Sequence, residues 1–205
     1  MLYSLLFWGY FLMEDVLIFV DDGFFGLVKK HIQKKTGKDK KYLQTFRNIC
    51  KNENLNLKHL FIYTCPPYQS PKPNESETFM ISRYQNMMAM LKKKKWITIR
   101  EGRCQKIINE QGKADYSQKG VDALVILDMY DFKENYPHIR KIILIASDSD
   151  FVPVIERMKQ KGIEVILYTY FNRTRKSRFS TSNHLLKVSS RWAKLDETFF
   201  EDTQK

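Results

Sequence analysis

The chain has 205 residues, with 35 Lys and Arg against 23 Asp and Glu and a formal net charge of +12. Its 43% hydrophobic and 14% aromatic content, with only 8 Gly and 6 Pro, excludes disordered, collagenous and low-complexity classes. The length suits one domain that buries about 70% of its unfolded surface. Such a charge points to a polyanionic partner, nucleic acid or anionic lipid, although a Lys-rich composition alone gives the same sum. Cys50, Cys65 and Cys104 are odd in number and form no CxxC pair. That argues against a disulfide framework or zinc cage and for a reducing, cytoplasmic setting.

Residues 1–13 (MLYSLLFWGYFLM) are almost wholly apolar, yet no basic residue precedes them, no small-residue cleavage site follows, and Glu14 and Asp15 come directly after. The stretch is also short of the roughly 20 residues a spanning helix needs, so neither secretion nor membrane insertion is expected. Met13 immediately precedes the first apparent strand. The expectation is therefore that Met13 is the initiator and residues 1–12 an upstream extension of a single domain, 13–205. A natural N-terminus at Met1, read by mass spectrometry, would overturn it.

Residues 16–20 (VLIFV) form a short apolar run halted by Asp21, Asp22 and Gly23, as expected of a strand buried on both faces. Residues 27–50 alternate apolar and basic positions without Pro and predict one or two helices. A second strand is expected at 60–63 (LFIY), followed by a Pro-rich loop to about residue 74. Met80, Tyr84, Met87, Met88 and Leu91 recur at helical spacing, and a Met stripe of this kind is usually helix core. Residues 96–99 (WITI) predict a third strand, residues 105–118 a polar loop, and residues 121–129 (VDALVILDM) a buried helix. A fourth strand at 142–146 (IILIA) ends at Ser147, Asp148, Ser149 and Asp150. A helix from 151 to 161 follows, with Pro153 in its first turn and Gly162 closing it, before a last strand at 163–168 (IEVILY). Residues 171–205 open with a basic run and are expected to finish as a helical, acidic tail. Five apolar strands alternating with helices predict a three-layer α/β/α, Rossmann-like domain with a mostly parallel sheet.

The informative pattern is the position of the acids. Two buried strands end abruptly in carboxylates, and open parallel sheets bind ligands beyond the carboxyl ends of their strands. Asp148 and Asp150, two apart in extended chain, project together, and Asp122 follows Gly120 at a helix start. Two carboxylates about 4 Å apart repel by on the order of 1 kcal/mol in water and about 4 kcal/mol at an effective dielectric of about 20. A shared proton or a hard divalent cation offsets that, and oxygen donors without Cys or His select Mg²⁺ or Mn²⁺. The four His lie outside these segments, which disfavours a His dyad. A lone Asp150 would more simply be an N-cap; the set of strand-end acids is harder to explain that way. Asp128, six residues beyond Asp122, lies about 240° round a helix and cannot share its face, so it reads as structural or supporting.

The segments VLIFVDDGFF (16–25), IYTCPPYQ (62–69), QKGVDALVILDM (118–129) and IILIASDSDFVPVIERMKQKGIEVILY (142–168) resemble, in order, the motifs of the NYN family, specifically its LabA-like branch. The third and fourth are the specific ones. TSNHLLK (181–187) and the chain to Phe200 resemble the family's closing helix, giving a motif core of 16–170 and a helical segment at 180–205. Thr64 and Ser147 stand where the pattern usually has an acid and a Gly.

The resemblance implies a PIN-like nuclease fold and metal-dependent ribonuclease activity. Asp21, Asp122, Asp148 and Asp150 fall at the metal-site positions, with Asp22 and Asp128 as supporting residues and Mg²⁺ or Mn²⁺ as cofactor. Lys119 and Ser149 are candidates for contacting phosphate, although Ser149 reads more simply as a helix cap. Arg173, Arg175, Lys176 and Arg178 follow the last strand and would grip RNA on the same side as the acids. Lys92 to Lys95 begin at the opposite end of the sheet and read as a solvated helix end. The alternatives are a catalytically silent RNA-binding or regulatory module of the same fold, and a Toprim-like phosphoryl-transfer domain; the latter wants a Glu where the first strand here ends in Asp. A homo-oligomer is compatible with the sequence but nothing in it requires one.

Overall fold

A computed structural model describes residues 13–37, 41–112, 114–172 and 179–201. The extension at 1–12 and the basic residues Arg173, Arg175, Lys176 and Arg178 lie outside them. In chain order the elements are β1 (Glu14–Asp21), α1 (Asp22–Thr36), α2 (Tyr42–Glu53), β2 (Leu55–Thr64), α3 (Glu75–Lys92), β3 (Ile97–Glu101), β4 (Arg103–Ile108) and β5 (Ala114–Lys119). They continue with α4 (Val121–Asp131), β6 (Lys141–Ile145), α5 (Val152–Gln160), β7 (Glu164–Thr169), α6 (Asn183–Val188) and β8 (Arg191–Lys194), with short 3-10 turns between.

β1 organises the whole. Side chains alternate across a strand, so Val16, Ile18 and Val20 face one layer while Leu17 and Phe19 face the other, and all five are fully buried. Burying each such side chain contributes about 1.5–3 kcal/mol. The first layer holds Phe24, Phe25 and Val28 of α1, Phe46 and Ile49 of α2, and Met88 and Leu91 of α3. The second holds Val121, Val125 and Met129 of α4, Ile155 and Met158 of α5, and Leu185 of α6. The three-layer α/β/α arrangement expected from the sequence is therefore present.

The sheet has six strands in the order β3-β2-β1-β6-β7-β8, and every pairing in it is parallel. From β1 the chain winds one way through β2 and β3, then returns to lay β6 on the other side of β1. That reversal is a topological switch point, and the crevice at the carboxyl ends of β1 and β6 is where such sheets bind ligands.

Four expectations are corrected. The sixth strand, β8, falls in the tail expected to be helical, where the helix is confined to Asn183–Val188. A four-residue edge strand (RWAK) is too short and too exposed to show a period. Residues 105–118 are not a loop: β4 and β5 pair antiparallel, and their largely exposed faces lack the hydrophobic alternation that would reveal them. The Met stripe is only partly core, because Met88 and Leu91 are buried while Met80 stands exposed. The helix at 121–129 buries one side only and leaves Leu127 and Tyr130 in solvent.

Candidate metal centre

The acids arrive at the switch point from three places. Asp21 is the last residue of β1, and its carboxylate caps α1 by accepting the Phe24 amide at 3.2 Å. Asp148 follows β6 and caps the 3-10 turn Ser149–Phe151, accepting the Asp150 amide at 3.0 Å. Asp122 sits in the first turn of α4, which starts after Gly120 in the left-handed region, at φ +81. Gly102 brings the hairpin base against that helix start: a Cβ there would stand 2.5 Å from the Lys119 carbonyl oxygen and 2.8 Å from Val121, so only Gly fits.

Carboxylate oxygens of Asp122, Asp148 and Asp150 lie within 4.8 Å of one another. Burial is the main influence on Asp21, with the charge of Asp122 adding to it; together they outweigh the Phe24 and Gly23 amides and push its carboxyl up to about 6. Asp122 is raised by burial and by the charges of Asp148 and Asp150. The four acids thus form one electrostatic group, and no Lys, Arg or His among the described residues makes an ion pair with any of them.

The donor set fits a hard divalent cation. Bonds of about 2.1 Å place opposite ligands no more than roughly 4.2 Å apart, a span compatible with oxygens that lie within 4.8 Å of one another, and the cluster contains only carboxylates. Asp148 already uses one interaction on the Asp150 amide, which fixes its orientation.

The other sequence-predicted residues divide. Asp22 lines the same cavity with its oxygens otherwise engaged: half-buried, it accepts the Tyr42 hydroxyl at 2.7 Å and the Thr64 hydroxyl at 3.1 Å, and ties α2 and β2 to the start of α1. Burial raises its carboxyl, against those two hydrogen bonds. Asp128 accepts the Tyr63 hydroxyl at 2.9 Å and pairs with Arg100 at 3.4 Å, apart from Asp122 as the helical angle requires. Lys119 and Ser149 are exposed and do not line the cavity beside the acids. The capping role expected of Ser149 belongs to Asp148.

That cavity, of about 870 Å³, is lined by Asp21, Asp122 and Asp148 and by residues the sequence did not single out: Lys29 and Lys30 of α1, Arg83 of α3 and Gln118 of β5. Gln118 lies over the turn; a Cβ on Gly23 would meet its amide nitrogen at 2.8 Å and the Asp21 carboxylate at 3.2 Å. Gln118 opens the QKGVD motif, which was the one available signal for it. Cys65 also lines the cavity, its thiol pushed up to about 11 by burial and by neighbouring Cys104.

The model of the NYN domain matches residues 32–193, most of the chain. The chain belongs to the NYN domain family. The NYN match takes in Asp122, Asp148 and Asp150, whereas Asp21 precedes it and joins the group through the geometry of β1. No curated protein matches the chain. Among solved structures, the NYN fold here is similar to that of a protein of unknown function, VPA0982, from Vibrio parahaemolyticus. The TM-score is 0.51 and the identity 16%, over 90% of this chain and 94% of that one. At that identity the likeness concerns the fold alone.

Proposed function

We propose that this NYN domain is a metal-dependent ribonuclease of the LabA-like branch, an endonuclease acting on RNA in the cytoplasm with Mg²⁺ or Mn²⁺ held by Asp122, Asp148, Asp150 and Asp21. The observation that carries the reading is the convergence of three carboxylates within 4.8 Å at the switch point, with no ion pair to them among the described residues. Bare acids repel phosphate, so such a group is useful to a nucleic-acid enzyme only when an ion intervenes. A divalent cation bound there supplies Lewis acidity, lowering the pKa of water and screening charge that develops at phosphorus.

The chain's own residues supply the rest. The Asp150 amide orients Asp148, and the Phe24 amide orients Asp21. Lys29, Lys30 and Arg83 line the same cavity and hold the phosphate backbone, while Arg173, Arg175, Lys176 and Arg178 extend that grip. Lys119 and Ser149, exposed next to the acids in sequence, take flanking phosphates. The Gln118 amide, against Gly23 and Asp21, is positioned to donate to a substrate oxygen.

The test is incubation of labelled single-stranded RNA and DNA with the protein in Mg²⁺, Mn²⁺ or EDTA, beside Asp150→Asn. Internal cleavage of RNA that is lost in EDTA and in the variant is expected. Cleavage indifferent to both would remove the acids from the mechanism, and RNA binding without cleavage in any metal would leave a silent binding module.

A further inference from the structure

A second cleft, of about 580 Å³, opens where β7 ends and is lined by Tyr170, Phe171, Asn172, Trp192 and Lys194. None of these residues lines the acidic cavity. Trp192 lies on β8, the edge strand, and is 46% exposed. Its ring meets Phe171 at 5.8 Å between centroids, inclined by 63°. The Lys194 ammonium stands 5.0 Å from the centre of the Tyr170 ring and 5.3 Å from that of Phe171.

The cleft and the cavity share a wall. Tyr170 packs edge-on against Phe179 at 5.1 Å, and Phe179 lines the acidic cavity; His31 touches both rings, at 5.4 and 4.8 Å. Aromatic rings, bridged at Lys194 between Tyr170 and Phe171, therefore run from the wall of the acidic cavity to the outer edge of the sheet. Their outer end offers an exposed indole, a Lys and an Asn, and no acid among the described lining residues. Flat apolar faces beside a cation suit an unpaired base with its phosphate, because every base has a stacking face and a duplex hides it.

We propose that the cleft of Tyr170, Phe171 and Trp192 is a base-stacking subsite for single-stranded RNA, holding a nucleotide some distance along the strand from the acids, with Trp192 as the stacking surface and Lys194 on the adjoining phosphate. The proposal rests on the nucleic-acid reading of the acidic cavity and extends it to a strand long enough to cover both.

The experiment measures fluorescence anisotropy of a labelled 12-nucleotide oligouridylate and of a trinucleotide with the full chain, in EDTA and again in Ca²⁺, for the wild type, Trp192→Ala, Trp192→Phe and Lys194→Ala. Circular dichroism confirms the fold of each variant. Trp192→Ala should weaken the long probe about tenfold, Trp192→Phe should restore most of that loss, and the trinucleotide should distinguish the variants little. Lys194→Ala should weaken the long probe less and flatten its salt dependence. A folded Trp192→Ala protein that holds the long probe as tightly as wild type, or a wild type that binds no single strand, overturns the subsite. Trp192-dependent binding by a protein that cleaves nothing would retire the nuclease reading and leave the subsite standing; metal-dependent cleavage with Trp192-independent binding would do the reverse.

Discussion

The two edges of the central sheet carry similar numbers of acids and treat them in opposite ways. At the amino edge, Glu14 meets Lys141 at 2.9 Å, Glu164 meets Lys141 at 3.5 Å and Arg191 at 3.3 Å, and Asp15 meets Lys58 at 3.6 Å. Glu53, at the end of α2, joins the same network through Arg191 and the Tyr168 hydroxyl. Burial alone would raise its carboxyl, yet those two partners outweigh burial and hold it below the ordinary range. At the carboxyl edge, burial and neighbouring acids raise both Asp21 and Asp122, and no cation among the described residues is paired to them. Among the described residues, the chain answers the charge problem at one edge with its own side chains and leaves it unanswered at the other.

The largest expected effect comes from removing a carboxylate at the uncompensated edge. Asp122→Asn should lower RNA cleavage on the order of 1000-fold, since several kcal/mol of charge stabilisation go with the ion, and yet should raise the melting temperature in EDTA. Calorimetry beside a cleavage assay checks both; a variant that is both inactive and less stable would mean the edge is not under repulsion.

Next comes pH. Asp21 has its pKa raised from 3.8 to about 6, so its cost to folding is absent below about pH 4, grows through that window and is complete above about pH 6. Such an acid costs on the order of 2–3 kcal/mol at neutral pH. Melting temperature in EDTA should therefore rise between pH 7 and pH 5, Asp21→Asn should flatten the rise, and saturating Mn²⁺ at pH 7 should reduce what acidification gains. Glu53 carries the opposite sign: its contribution is present above about pH 4.5 and lost as pH falls through its lowered folded value.

A smaller loss is expected from Glu53→Gln, which takes away a carboxylate that is 5% exposed from Arg191 and Tyr168. Destabilisation of about 1–3 kcal/mol, seen in urea denaturation, should come with unchanged cleavage per folded molecule. Asp15→Asn, at the solvated rim of the same network, should cost under about 1 kcal/mol. A loss as large as that of Glu53→Gln would show that the amino edge behaves as one network rather than as separate pairs.

The carboxyl edge was the more legible of the two in the sequence, because burial wrote it in local signals. Runs such as VLIFV and IILIA, short, β-branched and apolar, read as central strands, and the acids that stop them mark the strand ends, so the places of Asp21, Asp148 and Asp150 followed from short segments. What stayed hidden depends on chain distant in sequence. Arg83 and Lys30 come to the cavity from helices whose faces the local pattern did not separate, and Gln118 arrives on a hairpin too exposed to carry a hydrophobic period. The Met residues of α3 followed a helical spacing correctly, but spacing says which side chains share a face and not how far along the helix that face stays covered. The ion pairs of the amino edge were invisible for the same reason: each joins elements that the winding order, not nearness in sequence, brings together.

The winding order also sets when the site can exist. Val16 to Val20 pair with residues 141–145, so β1 gains its partner on that side only after most of the chain has been made. A ribosome that has not yet released residue 141 holds Asp21 and Asp122 but has no Asp148 to set beside them. The acids are gathered by the pairing that spans the most chain in the sheet, and a nascent or truncated chain that still exposes the β6 side of β1 holds Asp21 without Asp148 beside it.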